Sequence, residues 1–153
     1  MKYTSYTNFW LHDLELTSRI THEIARKFFE TNNFQINIDE YIIIDTLLNN
    51  PDLLQMKLAK MILKGRAHTG RFLMSLEDKG FVERIPSKNG KRLVIRSKVT
   101  DEGKKIHSKI TKNIQELAKE CSESLPDEML ANLQKNLKQI RASLQEKFDV
   151  KFE

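Results

Sequence analysis

The sequence is poor in the residues that characterise disulfide-rich, all-β and membrane proteins. One cysteine among 153 residues excludes an internal disulfide and fits a reducing compartment. Five glycines and three prolines, beside 31% charged residues, favour long helices over an all-β fold. No stretch approaches the roughly 18 apolar residues of a membrane span, and the first residues lack the apolar segment of a secretory signal. These absences predict a soluble cytoplasmic protein.

The sequence also lacks the motifs of the common enzyme classes. It contains no nucleophile motif and no pair of carboxylates in an apolar setting. The segment from Gly65 to Arg71 lacks the lysine and the hydroxyl of a phosphate-binding loop. The four histidines have no paired spacing, so neither a metal site nor a cofactor is predicted. We therefore do not expect an enzyme.

Positive charge is concentrated in one segment of the chain. Residues 53–112 contain 16 Lys and Arg against 5 Asp and Glu, whereas 1–52 contain 4 against 8 and 113–153 contain 6 against 8. A basic segment between two acidic flanks suits a phosphate-binding surface on an otherwise neutral scaffold. The charge pattern therefore favours a nucleic-acid partner.

Apolar periodicity and turn residues predict six helices and one hairpin. The apolar run 41–44 has strand propensity, but Asp39 as an N-cap and the helical neighbours favour a buried helix. Asn89-Gly90 indicates the tip of the hairpin. The predicted elements are helices over 5–31, from Asp39 to 48, over 53–63 and over 66–79, strands over 81–86 and 92–98, and helices that begin at Thr100 and Pro126.

This order of elements is that of a winged helix-turn-helix between two terminal helical segments. We expect a mainly α protein with a small β-hairpin, in which residues 37–103 form the DNA-binding domain. The last helix carries an apolar stripe from Leu133 to Phe148 that has no partner inside so small a module. Residues 1–36 and 104–153 are therefore predicted to form a helical dimerisation lobe in a homodimer.

The fourth predicted helix and the hairpin tip supply the candidate DNA contacts. An arginine can bind O6 and N7 of guanine together, and hydroxyl side chains reach phosphates or base edges. Lysines at a hairpin tip could instead keep an edge strand soluble, but their position beside a reading helix favours DNA. The candidate DNA-binding residues are Arg66, His68, Thr69, Gly70, Arg71, Ser75, Lys88, Lys91 and Arg92.

Three motifs of this sequence resemble those of the MarR family of bacterial transcriptional regulators. The resemblance implies an obligate homodimer that binds a pseudo-palindromic operator on double-stranded DNA, most often as a repressor. It also implies release by a small phenolic or other ligand, or by thiol oxidation. The motifs are Leu58-Ala59, the run Leu76-Glu77-Asp78-Lys79-Gly80-Phe81-Val82-Glu83-Arg84, and Val99-Thr100-Asp101-Glu102-Gly103.

The sequence departs from the family pattern at the wing. Family wings commonly carry an Asp two residues before an Arg, and the Asp braces that arginine. Here Gly90 stands two residues before Arg92, which leaves the orientation of Arg92 undetermined. The recognition helix begins with Arg66-Ala67-His68 in place of small hydroxyl residues, which changes the expected operator sequence and not the fold.

An effector site and a redox site are two further hypotheses. An effector would bind where the helical lobe meets the DNA-binding domain, and the apolar candidates there are equally well explained as core or dimer contacts. Cys121 continues an apolar stripe that includes Ile114 and Leu117, so a buried structural thiol is favoured over a sensor. The candidate effector-site residues are Trp10, Phe28, Tyr41 and Ile44.

Two functions compete on the sequence alone. The first is a dimeric, sequence-specific DNA-binding regulator. The second is a winged-helix module that assembles with proteins and has only weak, non-specific affinity for DNA. The cations of the hairpin and the basic segment 53–112 favour the first.

Overall fold

Helices dominate the regular structure of this protein. The computed structural model describes residues 5–51, 53–90 and 92–149, with the backbone alone given for Asn89 and Arg92. Within these residues the order is a 3-10 helix Tyr6–Asn8, α1 Trp10–Thr31, α2 Ile38–Asn49, α3 Gln55–Met61, α4 Arg66–Asp78, β1 Val82–Asn89, β2 Arg92–Val99, α5 Asp101–Ser122 and α6 Asp127–Phe148. This order confirms the prediction of a mainly helical fold with one small hairpin.

The chain divides between residues 41 and 42 into two compact units. In the first unit α1 begins at Trp10 and not at residue 5, because Phe9 has an extended backbone with φ −102° and ψ 133°. After α1, the ring of the buried Phe29 lies 5.4 Å from that of Phe34 and 5.9 Å from that of Tyr41, centroid to centroid. These aromatic contacts hold the segment after α1 against the end of the helix.

Asn37, not Asp39, caps the beginning of α2. Oδ1 of Asn37 accepts a hydrogen bond from the backbone N–H of Glu40, and Oε2 of Glu40 accepts one from the backbone N–H of Asn37, both at 2.9 Å. This reciprocal pair is a capping box. The predicted N-cap at Asp39 is wrong, because α2 begins at Ile38 and Asp39 lies in its first turn.

The core of the second unit contains side chains from α2, α3, α4, both strands and α5. Ile43 and Ile44 have no exposed surface, whereas Ile42 is 40% exposed, so the apolar run 41–44 is helical despite its strand propensity but is buried only in part. A fully buried aliphatic side chain of this size contributes about 1.5–3 kcal/mol relative to an exposed one. The fully buried side chains of the other elements include Leu58, Leu73, Leu76 and Ile110.

The turn between α3 and α4 differs from the predicted one. α3 spans Gln55–Met61 and not 53–63, and Leu54 instead forms an isolated antiparallel bridge with Arg96 of β2. Leu63 has a φ of 53°, so a leucine rather than a glycine takes the left-handed conformation in this turn. Gly65 has a φ of −63° and serves as the N-cap of α4.

The hairpin is longer than predicted and its turn is shorter. β1 and β2 pair in antiparallel register from Val82 opposite Val99 to Asn89 opposite Arg92. Gly90, the first residue after β1, has a φ of 61°, as is typical of a glycine at a hairpin tip. Residues 87–89, which were predicted to be loop, belong to β1 because they continue the ladder.

Four residues join α4, the hairpin and α5. α4 ends in a Schellman motif in which Gly80, with a φ of 75°, takes the left-handed position. The hydroxyl of Thr100 donates to the carbonyl of Gly80 at 2.7 Å and accepts from the backbone N–H of Gly103 at 3.0 Å. The backbone N–H of Thr100 donates to the carbonyl of Phe81 at 3.1 Å. The predicted cap at Thr100 is therefore confirmed, and it also connects three elements.

The last two helices leave much of their apolar surface uncovered in the single chain. On α5 only Gly103 and Ile110 are buried, and on the described part of α6 no residue is. Cys121 is exposed near the end of α5, so the prediction that its thiol is buried is wrong for the single chain. On α6 Leu133 is 47% exposed.

Gly103 should be intolerant of even the smallest side chain. A Cβ at this position would lie 2.2 Å from the carbonyl oxygen of Phe81 and 2.7 Å from Cγ1 of Val99. We expect Gly103→Ala to lower the free energy of unfolding by about 1–3 kcal/mol through overpacking, measured by urea denaturation. The control Ser108→Ala, at an exposed site of the same helix, should change it by less than about 0.5 kcal/mol. Equal stability of the two variants would contradict the close approach.

Candidate nucleic-acid interface

The face of α4 opposite its buried side carries three of the six candidate DNA-binding residues of this helix. Leu73 and Leu76 are completely buried and define the inner face of the helix. Arg66, His68 and Arg71 are exposed. The structure thus brings two cationic side chains and an imidazole to the accessible surface of one helix, where they can reach a ligand without any rearrangement of the core.

Thr69 does not belong to this surface. Its side chain has no exposed surface, and its hydroxyl donates to the carbonyl of Gly65 at 3.1 Å. The prediction that Thr69 contacts DNA is wrong for this reason: it lies one helical turn before Leu73, on the inner face.

Gly70 and Ser75 lie at the edges of the exposed face of α4. A Cβ at position 70 would lie 3.2 Å from Nε2 of Gln55, the mobile end of a long side chain, so the space beside Gly70 is only slightly restricted. Without a side chain, Gly70 offers only its backbone to a ligand. Ser75 is half-buried, so its hydroxyl keeps partial access to the surface.

Two residues of the exposed face of α4 were not among the candidate DNA-binding residues chosen from the sequence. Met74 is 54% exposed and Ala67 is exposed, and both lie on the same side of α4 as Arg71. Because the helix repeats every 3.6 residues, the positions opposite Leu73 and Leu76 include both of them. Apolar side chains on a reading helix can contact the methyl group of thymine.

The hairpin tip is described in part. Lys88 is exposed near the end of β1, and its cross-strand partner Leu93 is 82% exposed. Arg92 is the first residue of β2, and its side chain lies outside the described residues, as does the whole of Lys91. The structure therefore places one of the three predicted wing cations, Lys88, on an accessible surface.

An ion pair connects α4 to the first strand of the wing. Nη1 of Arg84 on β1 lies 3.6 Å from Oε2 of Glu77 on α4. The side chain of Arg84 is only 20% exposed, so water screens this pair less than a surface pair. The pair helps to fix the base of the wing relative to the helix that carries Arg71.

The candidate effector-site residues differ in exposure. Trp10 is 38% exposed, and Phe28 and Tyr41 are half-buried. The rings of Phe28 and Phe34 lie 5.8 Å apart, which makes Phe28 part of the aromatic cluster after α1. Ile44 has no exposed surface and is a core residue of the second unit. Ile44 therefore offers no accessible surface to a ligand in this conformation.

Among the described residues, no three His, Cys, Asp or Glu side chains are grouped so that they could hold a metal ion. No described helix is long and apolar enough to cross a membrane. Nε2 of His107 on α5 lies 2.9 Å from Oδ1 of Asp45 on α2, and this pair joins the two helices.

Part of the chain is similar to known transcriptional regulators. Residues 36–94 match the model of the MarR family. An uncharacterised HTH-type transcriptional regulator of Bacillus subtilis, YybA, is 26% identical over 97 residues, and the matched part is 63% of this chain and 63% of that relative, less than two thirds of its length.

Solved structures of MarR-family regulators share the fold. A MarR/EmrR family regulator from Acinetobacter sp. ADP1 superposes with a TM-score of 0.81 at 18% identity, over 93% of this chain and 99% of that one. A MarR variant from E. coli, solved in complex with operator DNA, superposes with a TM-score of 0.77 at 21% identity, over 90% of this chain and 99% of that one.

The match of residues 36–94 to the MarR family model confirms the resemblance found in the motifs, and the solved structures show that the chain has a winged helix-turn-helix fold. The family is one of transcriptional regulators and not of enzymes, in agreement with the prediction.

The buried hydroxyl of Thr69 should matter for stability and not for binding. Thr69→Val keeps the shape of the side chain but removes the hydrogen bond to the carbonyl of Gly65. We expect a loss of about 0.5–1.5 kcal/mol in the free energy of unfolding, measured by urea denaturation. The comparison is Ser75→Ala, which removes a hydroxyl at the edge of the exposed face of α4 instead of a buried one. An unchanged stability of Thr69→Val would show that its hydroxyl is not held as described.

Proposed function

We propose that this protein is a dimeric, sequence-specific DNA-binding regulator that represses transcription from a pseudo-palindromic operator. The observation that carries the proposal is the exposed face of α4, where Arg66, His68 and Arg71 stand opposite the buried Leu73 and Leu76. This arrangement leaves the helix free to enter the major groove while its other side remains packed. The E. coli structure with operator DNA has the same fold.

The proposed contacts follow from the exposure of each side chain. Arg71 lies near the middle of the exposed face and reads a base edge, while Arg66 at the beginning of α4 holds a phosphate. Lys88, with Lys91 and Arg92, contacts the backbone or the minor groove from the wing. We leave Thr69 out of this set because it is buried.

We further propose the domain division of residues 37–103 as DNA-binding domain and residues 1–36 with 104–153 as dimerisation lobe. Supporting it, α6 has no buried residue in the described chain, yet Leu133 and Met129 are apolar and 47% and 54% exposed. On α1, Ile20 is 61% exposed. A second copy of the chain would cover such surfaces, and a two-fold dimer matches a pseudo-palindromic site.

Arg71→Ala should separate reading of bases from general attraction to DNA. With an operator selected from a random duplex pool, we expect a loss of about 1–3 kcal/mol in binding free energy and relaxed preference at one position per half-site. The control Lys138→Ala removes the same charge at an exposed position of α6 and should leave both the binding free energy and the base preference unchanged. Equal losses for Arg71→Ala on selected and random duplexes would show that Arg71 does not read a base.

The salt dependence of binding distinguishes this function from a protein-interaction module. A DNA-binding surface should show a log–log slope of affinity against salt of about −0.9 for each phosphate neutralised. Binding that does not depend on salt would support the interaction module instead.

A charge on the exposed stripe of α6 should prevent dimerisation. Leu133→Asp places a carboxylate in the proposed apolar interface but at a site that is 47% exposed in the single chain, so the monomer should remain folded. We expect light scattering to show a monomer and operator affinity to fall, since each half-site is then bound alone. Ser143→Asp adds the same charge at another exposed position of α6 and is the control. A wild-type protein that binds operator tightly as a monomer would contradict the proposal.

A further inference from the structure

The exposed face of α4 carries one row of side chains along its length. Ala67, Arg71, Met74 and Asp78 follow one another at steps of four, three and four residues, so they lie on the same side of the helix. All four are exposed. The row lies opposite the buried side chains of α4, and it is therefore the part of the helix that a ligand approaching from solvent meets first.

The two ends of α4 differ in charge. The exposed Arg66 lies at the beginning of the helix, where the helix dipole is also positive. Glu77 and Asp78 are exposed in its last turn, where the dipole is negative, and Glu77 pairs with Arg84 of β1. A polyanion would therefore contact the first three turns of α4 and avoid the last one.

Met74 is the last uncharged residue of the row before its acidic end. Its side chain is 54% exposed. Exposure alone does not mark it, because single exposed apolar residues are common and Met56 and Met61 of α3 are exposed to 50% and 51%. What distinguishes Met74 is its place in the row, one helical turn after Arg71.

The spacing of Arg71 and Met74 matches that of neighbouring base pairs. An α-helix rises about 1.5 Å per residue, so the two positions are about 4.5 Å apart along the helix axis. Base pairs of DNA are stacked about 3.4 Å apart. Two side chains with this spacing reach base pairs that are adjacent or separated by one other pair. If Arg71 reads one base, Met74 lies over a base pair close to it.

The side chain of Met74 restricts what that base pair can be. A thioether donates no hydrogen bond, so it cannot read the polar edges of the bases. The one apolar group in the major groove is the C5-methyl group of thymine, whereas cytosine presents an amino group that needs an acceptor. The unbranched side chain of methionine also adapts easily to an apolar surface. Thymine is therefore the base that suits Met74.

We propose that Met74 is a specificity-determining residue, which contacts the C5-methyl group of a thymine one or two base pairs from the base that Arg71 reads. Each half-site of the operator contains one such thymine. The side chain of Ala67 is a single methyl group, so it leaves the beginning of the row free to approach the bases. This inference rests on the proposed DNA-binding function and adds to it a base and the residue that selects it.

Replacement of thymine by deoxyuridine tests the contact, because it removes only the methyl group from the DNA. In an operator selected from a random duplex pool, each thymine is replaced in turn, in both half-sites at once, and affinity is measured by fluorescence anisotropy. At one position we expect affinity to fall by about fourfold for each methyl group and by about fifteenfold for the two half-sites. If no replacement has this effect, the proposal is wrong.

Variants of the protein assign the effect to Met74. Met74→Ala should bind the thymine and deoxyuridine duplexes with affinities within about twofold of each other, whereas Met74→Leu keeps an apolar side chain and should keep most of the preference. The control Met61→Ala removes an equally exposed methionine of α3 and should keep all of it. The proposal is contradicted if Met74→Ala retains the preference of the wild type, or if Met61→Ala loses it as well.

The position of the thymine provides a second test. Arg71→Ala identifies the base that Arg71 reads as the position where preference relaxes, and the sensitive thymine should lie one or two base pairs from it. A larger separation would overturn the inference. A failed selection, in which the wild type prefers no duplex, would instead contradict the proposed function. A selected operator that is bound equally well with deoxyuridine at every thymine would overturn this inference alone.

Discussion

The DNA-binding unit depends on one close approach. The backbone of α5 at Gly103 comes close to Phe81, which lies three residues after the end of α4. Gly103 has no side chain, so its backbone comes close to the carbonyl of Phe81, and that carbonyl accepts a hydrogen bond from Thr100 at 3.1 Å. The hydroxyl of Thr100 also closes on Gly80 at 2.7 Å. These contacts thus join the end of α4, the end of the hairpin and the beginning of α5 in one small cluster. Once the cluster has formed, α4, the hairpin and α5 have little freedom to move relative to one another.

A second contact joins α4 to the hairpin. Nη1 of Arg84 on β1 lies 3.6 Å from Oε2 of Glu77 on α4. Leu54, which precedes α3, adds an isolated antiparallel bridge to Arg96 of β2. The hairpin is therefore linked both to α4 and to the segment before α3.

Much of the fold could be predicted because local patterns agree with one another. Gly80 as a C-cap, Thr100 as an N-cap and the Asn-Gly turn each require a particular backbone conformation that few other residues adopt. The cap of α2 was misplaced because both Asn37 and Asp39 are good caps, and only the reciprocal bond to Glu40 decides between them. The left-handed Leu63 could not be predicted, since it takes the position in the Schellman motif at the end of α3 that glycine usually occupies, and only the bond from the N–H of Lys64 to the carbonyl of Ala59 at 3.1 Å reveals that motif.

The sequence by itself determined the order of the elements, the basic segment and the resemblance to a known family, because turn residues, short motifs and charge are properties of short stretches of chain. Only the tertiary structure decided which side chains of α4 are accessible. Thr69 is turned into the core and Met74 outward, because the contacts of Leu73 and Leu76 set the rotation of the helix. Only the tertiary structure likewise shows that His107 of α5 lies 2.9 Å from Asp45 of α2, since the two residues are distant in sequence. The exposure of Cys121 could not be predicted for the same reason. An apolar stripe in the sequence indicates a surface that packs against a partner, but it does not show that the partner lies in the same chain.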